Sequence, residues 1–487
     1  MNNIFNRIKS FASQHPDKLA IAIVDNDDRV EVNYKSLVLD VELCAAQLSR
    51  SGILPGEVVA VVFPNGYDFV VAVLAVLSVG ARLLPLNPGF REDEINFCLE
   101  SSAVRAVFYP EDLGIVSTYV KEKSIIGFSG IAFPVSENDE MPSESDSGGL
   151  YMFSSGSTGK SKRISRSQQD ILCEYEMLAQ TVSLTGDEVF FCTIPLYHAH
   201  GFGNAMMSSL LSGSSLIISV TEFNARKVAG LLEEYAVTIF PVVPFILKII
   251  AMTRFKSMPE LDALRLVVSA GAPLEQSTCE KLLDNFNLSV SQLYGSTETG
   301  AMTINLSKEK NEFMSVGKPL NGIDIQIRNE DGGVLSADQE GELWIKSPAM
   351  TKGYDNYPEL TDECFVDGWF FAGDLGRLDK YGKVFIIGRK KLLIIVAANK
   401  VDPLEVEGVI RKFVGVDDVA VVGEKHPVYG EIVKAYVVSE CEDKKRLEEE
   451  LRSFVSRGLA EYKLPAKFEF IAEIPRSPLG KVLRKYL

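Results

Sequence analysis

Residues 153–163, FSSGSTGKSKR, place hydroxyls, glycines and three cations within eleven positions. Gly156 and Gly159 let a backbone come close to a ligand. Successive N–H groups around them can form a nest for an anion. Ser155, Ser157 and Thr158 add hydroxyl donors, and Lys160 and Lys162 add charge. This is phosphate-binding chemistry. The segment also ends in Gly-Lys-Ser, as a P-loop does, but the first glycine of a P-loop would fall at position 154, where Ser154 stands. A phosphate cradle of another kind and a plain polar turn both stay open from these residues alone.

Six further glycine-containing polar motifs are spread along the chain: PLYHAHGFG (195–203), SAGAPL (269–274), LYGSTETG (293–300), GWFFAGDLG (368–376), GRKK (388–391) and IPRSPLGK (474–481). Taken singly each has a bland reading. His198 and His200 could be metal ligands two residues apart, but no third ligand is near in sequence. Glu298 is a surface charge or a ligand for a hard cation, which prefers oxygen. Asp374 caps a turn or accepts from hydroxyls. Lys481, six residues from the end, is a solvated lysine or a catalytic cation.

In this order and spacing the seven motifs resemble the adenylate-forming superfamily of acyl- and aryl-CoA synthetases, peptide-synthetase adenylation domains and beetle luciferases. The resemblance covers essentially the whole chain, with its markers at about 151–481. It implies that Ser155, Gly156, Ser157, Thr158, Gly159, Lys160 and Lys162 wrap the β- and γ-phosphates of ATP. Gly271, Ala272 and Pro273 would run along adenine and the acyl pocket. Tyr294 and Gly295 would lie against adenine, Thr297 near phosphate, and Glu298 on Mg²⁺. Asp374 would accept from the ribose hydroxyls, and Arg389 would contact ribose or phosphate. His198 would wall the acyl pocket beside the reacting carboxylate, with His200 unassigned.

Lys481 would bridge carboxylate and α-phosphate during adenylation. The small domain would then turn about a hinge near Lys391 for the second half-reaction. Ala199 stands where amino-acid-activating relatives carry an aspartate, which argues against an α-amino acid substrate.

Three positions depart from the family pattern. Ser161 replaces the usual proline of the first loop, and Leu392 replaces an acid after the hinge lysine. Ala397 and Ala398 stand where thioester-forming relatives have glycine, beside the path of a pantetheine arm. Transfer of the acyl group to CoA is therefore the leading expectation, with the phosphopantetheine of an acyl carrier protein, or an amine, as the alternative acceptor. A catalytically idle nucleotide- or acyl-binding protein is a third possibility, opposed by the intact Lys481, Glu298 and Asp374. Around the acyl pocket, residues 197–206, 240–245 and 293–302 are mostly apolar with no charge partner for a second polar group, which favours a fatty or aromatic acid.

The elements that must hold these motifs follow from the periodicity. In the first half, short β-branched runs such as EVVAVVF (57–63), AVRAVFY (103–109), SLIISV (215–220) and RLVVSA (265–270) alternate with helical stretches. That alternation predicts βαβ units and largely parallel sheets. The run 69–86, FVVAVLAVLSVGARLLPL, is broken by Gly80, Arg82 and Pro85 short of the ~20 residues of a spanning helix, so a buried helix leading into a buried strand is expected.

From about Gly341 the pattern shifts to Gly- and Asp-rich hairpins, and the last hundred residues read as a small α+β domain. The expected architecture is α/β. A large N-terminal domain (1–388) has mixed, largely parallel sheets, packed helices and a β-rich part. A small mobile α+β C-terminal domain (389–487) carries Lys481. The polar tract 136–149 reads as an exposed acidic loop.

The 487 residues are 46% apolar and 24% charged, which suits a folded chain of two or three units. A net charge of −16 disfavours a nucleic-acid partner. Seven cysteines without a C-x-x-C, and an N-terminus without an apolar secretion signal, point to reduced thiols in the cytoplasm. The first loop yields a direct test. Ser161→Pro should keep activity within about twofold if the loop is of the adenylating kind, since proline suits that turn. In a P-loop the same change removes the Mg²⁺-binding hydroxyl and should abolish turnover.

Overall fold

The computed structural model describes residues 3–26, 28–90, 92–123, 126–129, 148–154, 162–355, 357–392, 394–396, 399–426, 430–459, 461–476 and 482–487. Most of the acidic tract at 136–149 and all of residues 155–161 lie outside this set, as do Ala397, Ala398 and Lys481. The chain divides into two compact units. The first comprises Met1–Gly156, Ser161–Asp324 and Lys346–Phe370, and the second comprises Ser157–Lys160, Ile325–Ile345 and Phe371–Leu487.

Two large sheets form the first unit. One has nine strands in the order Lys318–Pro319, Gly300–Ile304, Val290–Ser296, Leu266–Ser269, Ile239–Val242, Val189–Cys192, Ser215–Ser219, Leu19–Asp25 and Asp28–Asn33. Its centre is parallel, and antiparallel partners close both ends. The other has seven strands. Gly149–Ser154, Arg82–Pro85, Val58–Val61, Val104–Tyr109 and Ile126–Ser129 run parallel, and Lys162–Ser167 and Tyr354–Asp355 are added antiparallel.

Parallel sheets need cover on both faces, so their strands are continuous apolar runs. Val58–Val61 and Leu266–Ser269 are buried at every position. The helix Tyr67–Ser78 is apolar on every side from Phe69 to Leu77 and is buried from Phe69 to Ser78. It leads into the buried strand Arg82–Pro85, as the sequence predicts. Among the described residues no helix is long and apolar enough to cross a membrane.

The second unit begins with the strands Asp324–Arg328, Gly341–Lys346, Trp369–Leu378 and Val384–Arg389, the first and third of which start at its boundary. A further sheet comprises Asn399–Val401, Ile394–Val396, Gly430–Val438, Asp418–His426 and Lys467–Phe470. The helices Pro403–Ile410 and Lys444–Val455 supply Val406, Ile410, Leu447, Leu451 and Val455 to a core with Val419, Val421, Val433 and Val437. The helix residues recur at four-residue steps, one stripe of a 3.6-residue helix.

Asp418–His426 is the last strand of its sheet, and its backbone finds side-chain partners. The Val421 N–H donates to Glu407 Oε1 at 2.8 Å, and Arg484 Nε donates to the Val421 carbonyl at 3.1 Å. Arg484 Nη2 also donates to the buried Glu407 carboxylate. The outer edge of that strand is thereby covered by an ion pair between Glu407 of the helix Pro403–Ile410 and Arg484.

In the first unit a buried pair does comparable work. Ser167 begins the helix Gln168–Val182 with a capping box completed by Asp170. About two turns on, Glu174 meets Arg166 at 2.7 Å with both side chains under a tenth exposed. Glu174 Oε1 accepts from the Ala301 N–H at 2.9 Å, and Arg166 Nε donates to the Ala349 carbonyl at 3.2 Å. Gly300, at φ +70°, leaves the room: a Cβ there would lie 2.2 Å from the Glu174 carboxyl carbon. Glu174→Ala should cost roughly 3–5 kcal/mol in urea unfolding by stranding the Arg166 charge. The double change Arg166→Met/Glu174→Leu should recover most of that loss.

Candidate active site

Four segments of the first unit meet at a cavity of about 50 Å³ lined by Pro85, Asn87, Phe90, Met152, Phe153, Tyr197, His198, Ala199 and Thr297. Each segment lies at or just past the carboxyl end of a strand: Arg82–Pro85, Gly149–Ser154, Val189–Cys192 and Val290–Ser296. Ligands collect at this end of parallel sheets, because the loops that leave it can diverge around a bound molecule. His198 and Thr297, both expected at the site, are thus brought together. Residues 155–160, expected on the phosphates, lie outside the described residues, but Lys162 opens the strand that returns from them.

The PLYHAHGFG segment is held by Asn65, whose Nδ2 donates to the Ile194 carbonyl at 2.9 Å and whose Oδ1 accepts from the Leu196 N–H at 2.8 Å. Gly201 permits the fold-back, since a Cβ would lie 2.2 Å from the Pro195 carbonyl oxygen. The π-helix His200–Met207 follows, a geometry that is frequent at functional sites.

The two histidines have different lives. Buried His200 places Nε2 3.2 Å from the Val242 carbonyl and receives Asn204 Nδ2 on Nδ1 at 2.9 Å. Both ring nitrogens serve the core, and a paired metal role is gone. His198 lies tilted against Tyr197 with ring centroids 4.8 Å apart, and its buried Nε2 has no protein hydrogen-bond partner. Burial pushes both imidazoles down to about 4. His198 therefore faces the cavity as a neutral ring with one unsatisfied nitrogen.

Glu298 is buried beside Thr297. Its Oε1 accepts from the Tyr354 hydroxyl at 2.9 Å, and its carbonyl accepts from the Thr351 N–H at 2.8 Å. Tyr294 is half-buried and Gly295 exposed on the same hairpin, while Gly271 and Pro273 are exposed and Ala272 half-buried. No group of three metal-binding side chains occurs among the described residues. A single buried carboxylate still suits Mg²⁺, which keeps several waters and takes its other oxygens from substrate phosphates.

In the second unit Asp374 and Arg389 are directly opposed across the hairpin Trp369–Leu378 and Val384–Arg389, with Nε donating to Oδ1 at 2.9 Å. Their fifteen-residue spacing is the length of a hairpin turning at residues 379–383. There the Asp379 N–H donates to the Lys383 carbonyl at 3.0 Å and the Tyr381 N–H to Asp379 Oδ1 at 2.9 Å. A carboxylate is an acceptor with about four sites, the chemistry that suits a partner carrying hydroxyls.

Sequence reasoning missed Asn87, Phe90 and Tyr354. Asn87 closes an otherwise apolar run just past a buried strand, and its Oδ1 accepts from the Gly89 N–H at 2.9 Å. That change of polarity at a strand's carboxyl end was the available signal. Asn87, His198 and Thr297 share the mostly apolar lining. Residues 240–245 are not among those that line this cavity; Phe240 is buried in the core and Phe245 is 59% exposed.

The comparisons with known proteins agree with this geometry. The model of the AMP-binding enzyme family matches residues 8–355, and that of the AMP-binding enzyme C-terminal domain matches residues 405–481. The chain belongs to the AMP-binding enzyme family. This is the adenylate-forming group that the motifs resemble. The chain is 30% identical to a probable CoA ligase of Humulus lupulus, over 99% of this chain and 92% of that one. It is 30% identical to a long-chain-fatty-acid–CoA ligase of Mycobacterium tuberculosis, over 96% and 94%. The solved structure of ATP-bound MatB from Rhodopseudomonas palustris is 27% identical and superposes with a TM-score of 0.89, covering 100% of this chain and 98% of that one.

The neutral histidines give a pH prediction for this family member. The unfolded chain takes up protons on His198 and His200 below about pH 6.5, whereas the folded one does so only near pH 4. Stability should therefore fall as pH drops through that window and level off below it. Between pH 7 and 4.5, His198→Gln should lose roughly 2–3 kcal/mol less than the unaltered protein in urea titrations.

Proposed function

We infer that this protein is an AMP-forming acid–thiol ligase. It joins a carboxylic acid to ATP as an acyl-adenylate, releases pyrophosphate and passes the acyl group to a thiol. The observation that carries this reading is the convergence of neutral His198 and Thr297 on one cavity, with buried Glu298 next in sequence. A carboxylate substrate entering there would meet the unpartnered His198 Nε2, a neutral hydrogen-bonding group that orients it without trapping it as an ion pair. Thr297 would hold a phosphate oxygen close by.

Glu298 would hold Mg²⁺, which when bound neutralises charge on the departing pyrophosphate. Lys162 and residues 155–160 would bind the outer phosphates, Tyr294, Gly295 and residues 271–273 adenine, and the Asp374–Arg389 pair the ribose. Lys481 would supply the cation for charge developing at the α-phosphate. For these roles the support is the motif resemblance and, where residues are described, their burial and pairing.

The domain boundary near 388, the hinge at Lys391 and the rotation of the small domain belong to the same proposal. The acid is a fatty or aromatic one, a choice supported by the apolar Phe90, Met152, Phe153 and Tyr197 in the lining. The acceptor is CoA, and the alternative is a carrier-protein phosphopantetheine or an amine. A cytoplasmic setting fits seven free thiols, several of which burial pushes up.

Carboxylate-dependent exchange of labelled pyrophosphate into ATP tests the activity across fatty, aryl and amino acids. Fatty or aryl acids should support exchange, and amino acids should not. Lys481→Ala should lose exchange at least about a hundredfold yet still form thioester from supplied acyl-adenylate. Absence of exchange with every acid would overturn the assignment.

A further inference from the structure

Tyr354 lies in none of the seven motifs, yet it touches residues of two of them. Its hydroxyl donates to Glu298 Oε1 at 2.9 Å. The ammonium of Lys162 sits over its ring, 4.6 Å from the centroid. The two side chains it holds carry opposite charge, and both belong to motifs whose expected ligands are phosphate and Mg²⁺.

The ring is fixed from several directions. Tyr354 stands opposite Ile164 in the antiparallel pair formed with Lys162–Ser167, so its own strand is paired to the strand that carries Lys162. Its N–H donates to Thr361 Oγ1 at 2.9 Å, and its ring meets Phe365 edge-on at 5.6 Å. It is only 7% exposed. Asp355, the next residue, pairs with Arg163 at 3.2 Å and reinforces the same register. A phenol held this firmly fixes the rotamer of the carboxylate that accepts from it.

We propose that Tyr354 is a positioning residue for the metal and phosphate side of the site. Its hydroxyl occupies Oε1 of Glu298 and leaves Oε2 to face a cation, while its ring holds the Lys162 ammonium by a cation–π contact. This rests on the assignment of Glu298 to Mg²⁺ above. A ligand oriented by an outer hydrogen bond typically binds metal about 10–100-fold better than one without it. The cation–π contact adds a smaller increment toward the phosphates.

The two functions separate by substitution. Tyr354→Phe keeps the ring and removes the hydroxyl; Tyr354→Leu removes both. In pyrophosphate exchange, Y354F should raise the Mg²⁺ concentration for half-maximal rate about tenfold, with KM for the carboxylic acid within about twofold. By calorimetry Y354F should bind ATP without Mg²⁺ as the unaltered protein does, and should lose most of the affinity gained when Mg²⁺ is added. Y354L should also weaken ATP binding without Mg²⁺. Thermal melts accompany each variant, and a general structural defect would shift the acid and Mg²⁺ dependences together, which would overturn the proposal.

Glu298→Gln is the reference variant. If Glu298→Gln changes the Mg²⁺ requirement and Y354F does not, the positioning role falls while the Glu298 assignment stands. If Glu298→Gln leaves the Mg²⁺ requirement unchanged, the assignment falls and the proposal falls with it.

Discussion

The first unit's site depends on one buried carboxylate. Glu174 reaches three of the segments that carry the chemistry. It pairs with Arg166 at the end of the strand that returns from the phosphate loop, and it accepts from Ala301 in the hairpin of Tyr294, Thr297 and Glu298. It also lies 3.2 Å from where a Cβ of Gly203 would stand, in the π-helix that follows His198. A charge buried this deeply is tolerated only with its partners in place. The pair therefore contributes little net stability beyond what apolar residues could give, but it admits only one relative placement of the three segments. Reacting groups need that precision, because a misplacement of about 1 Å can cost a hundredfold in rate.

Around this hub the site is short of charge rather than rich in it. His198 is neutral, and Glu298 is tied to Tyr354. A chain of net charge −16 that handles a triphosphate must confine its positive charge to a few side chains. Lys162 on the face of Tyr354 is one such confinement. The adenylation chemistry then draws on groups held in advance, so little reorganisation accompanies charge movement.

Much of this was legible in the sequence. Short runs such as VVAV and LVVS read as buried parallel strands because covered sheets favour apolar residues on both faces, and the predominantly apolar helix 67–78 read as buried for the same reason. The Asp374–Arg389 spacing could be matched to a family, and the hairpin supplies its cause. Partnerships across long separations were not legible. Nothing in local pattern ties Glu174 to Ala301, or Tyr354 to Glu298, because each pair forms only when two sheets and their connections have closed. Asn87 was missed since a single polar residue after an apolar run usually marks only a turn, and apolar character alone does not separate a core residue such as Phe240 from pocket lining.

The central claim is that the carboxylate attacks the α-phosphorus of ATP. It is tested most directly with an active acid labelled with ¹⁸O in its carboxyl group, given ATP, Mg²⁺ and CoA, with the nucleotide products read by mass spectrometry. Adenylation predicts AMP carrying one labelled oxygen, released with pyrophosphate. Unlabelled nucleotide with the label in orthophosphate would place the attack at the γ-phosphorus and contradict the account.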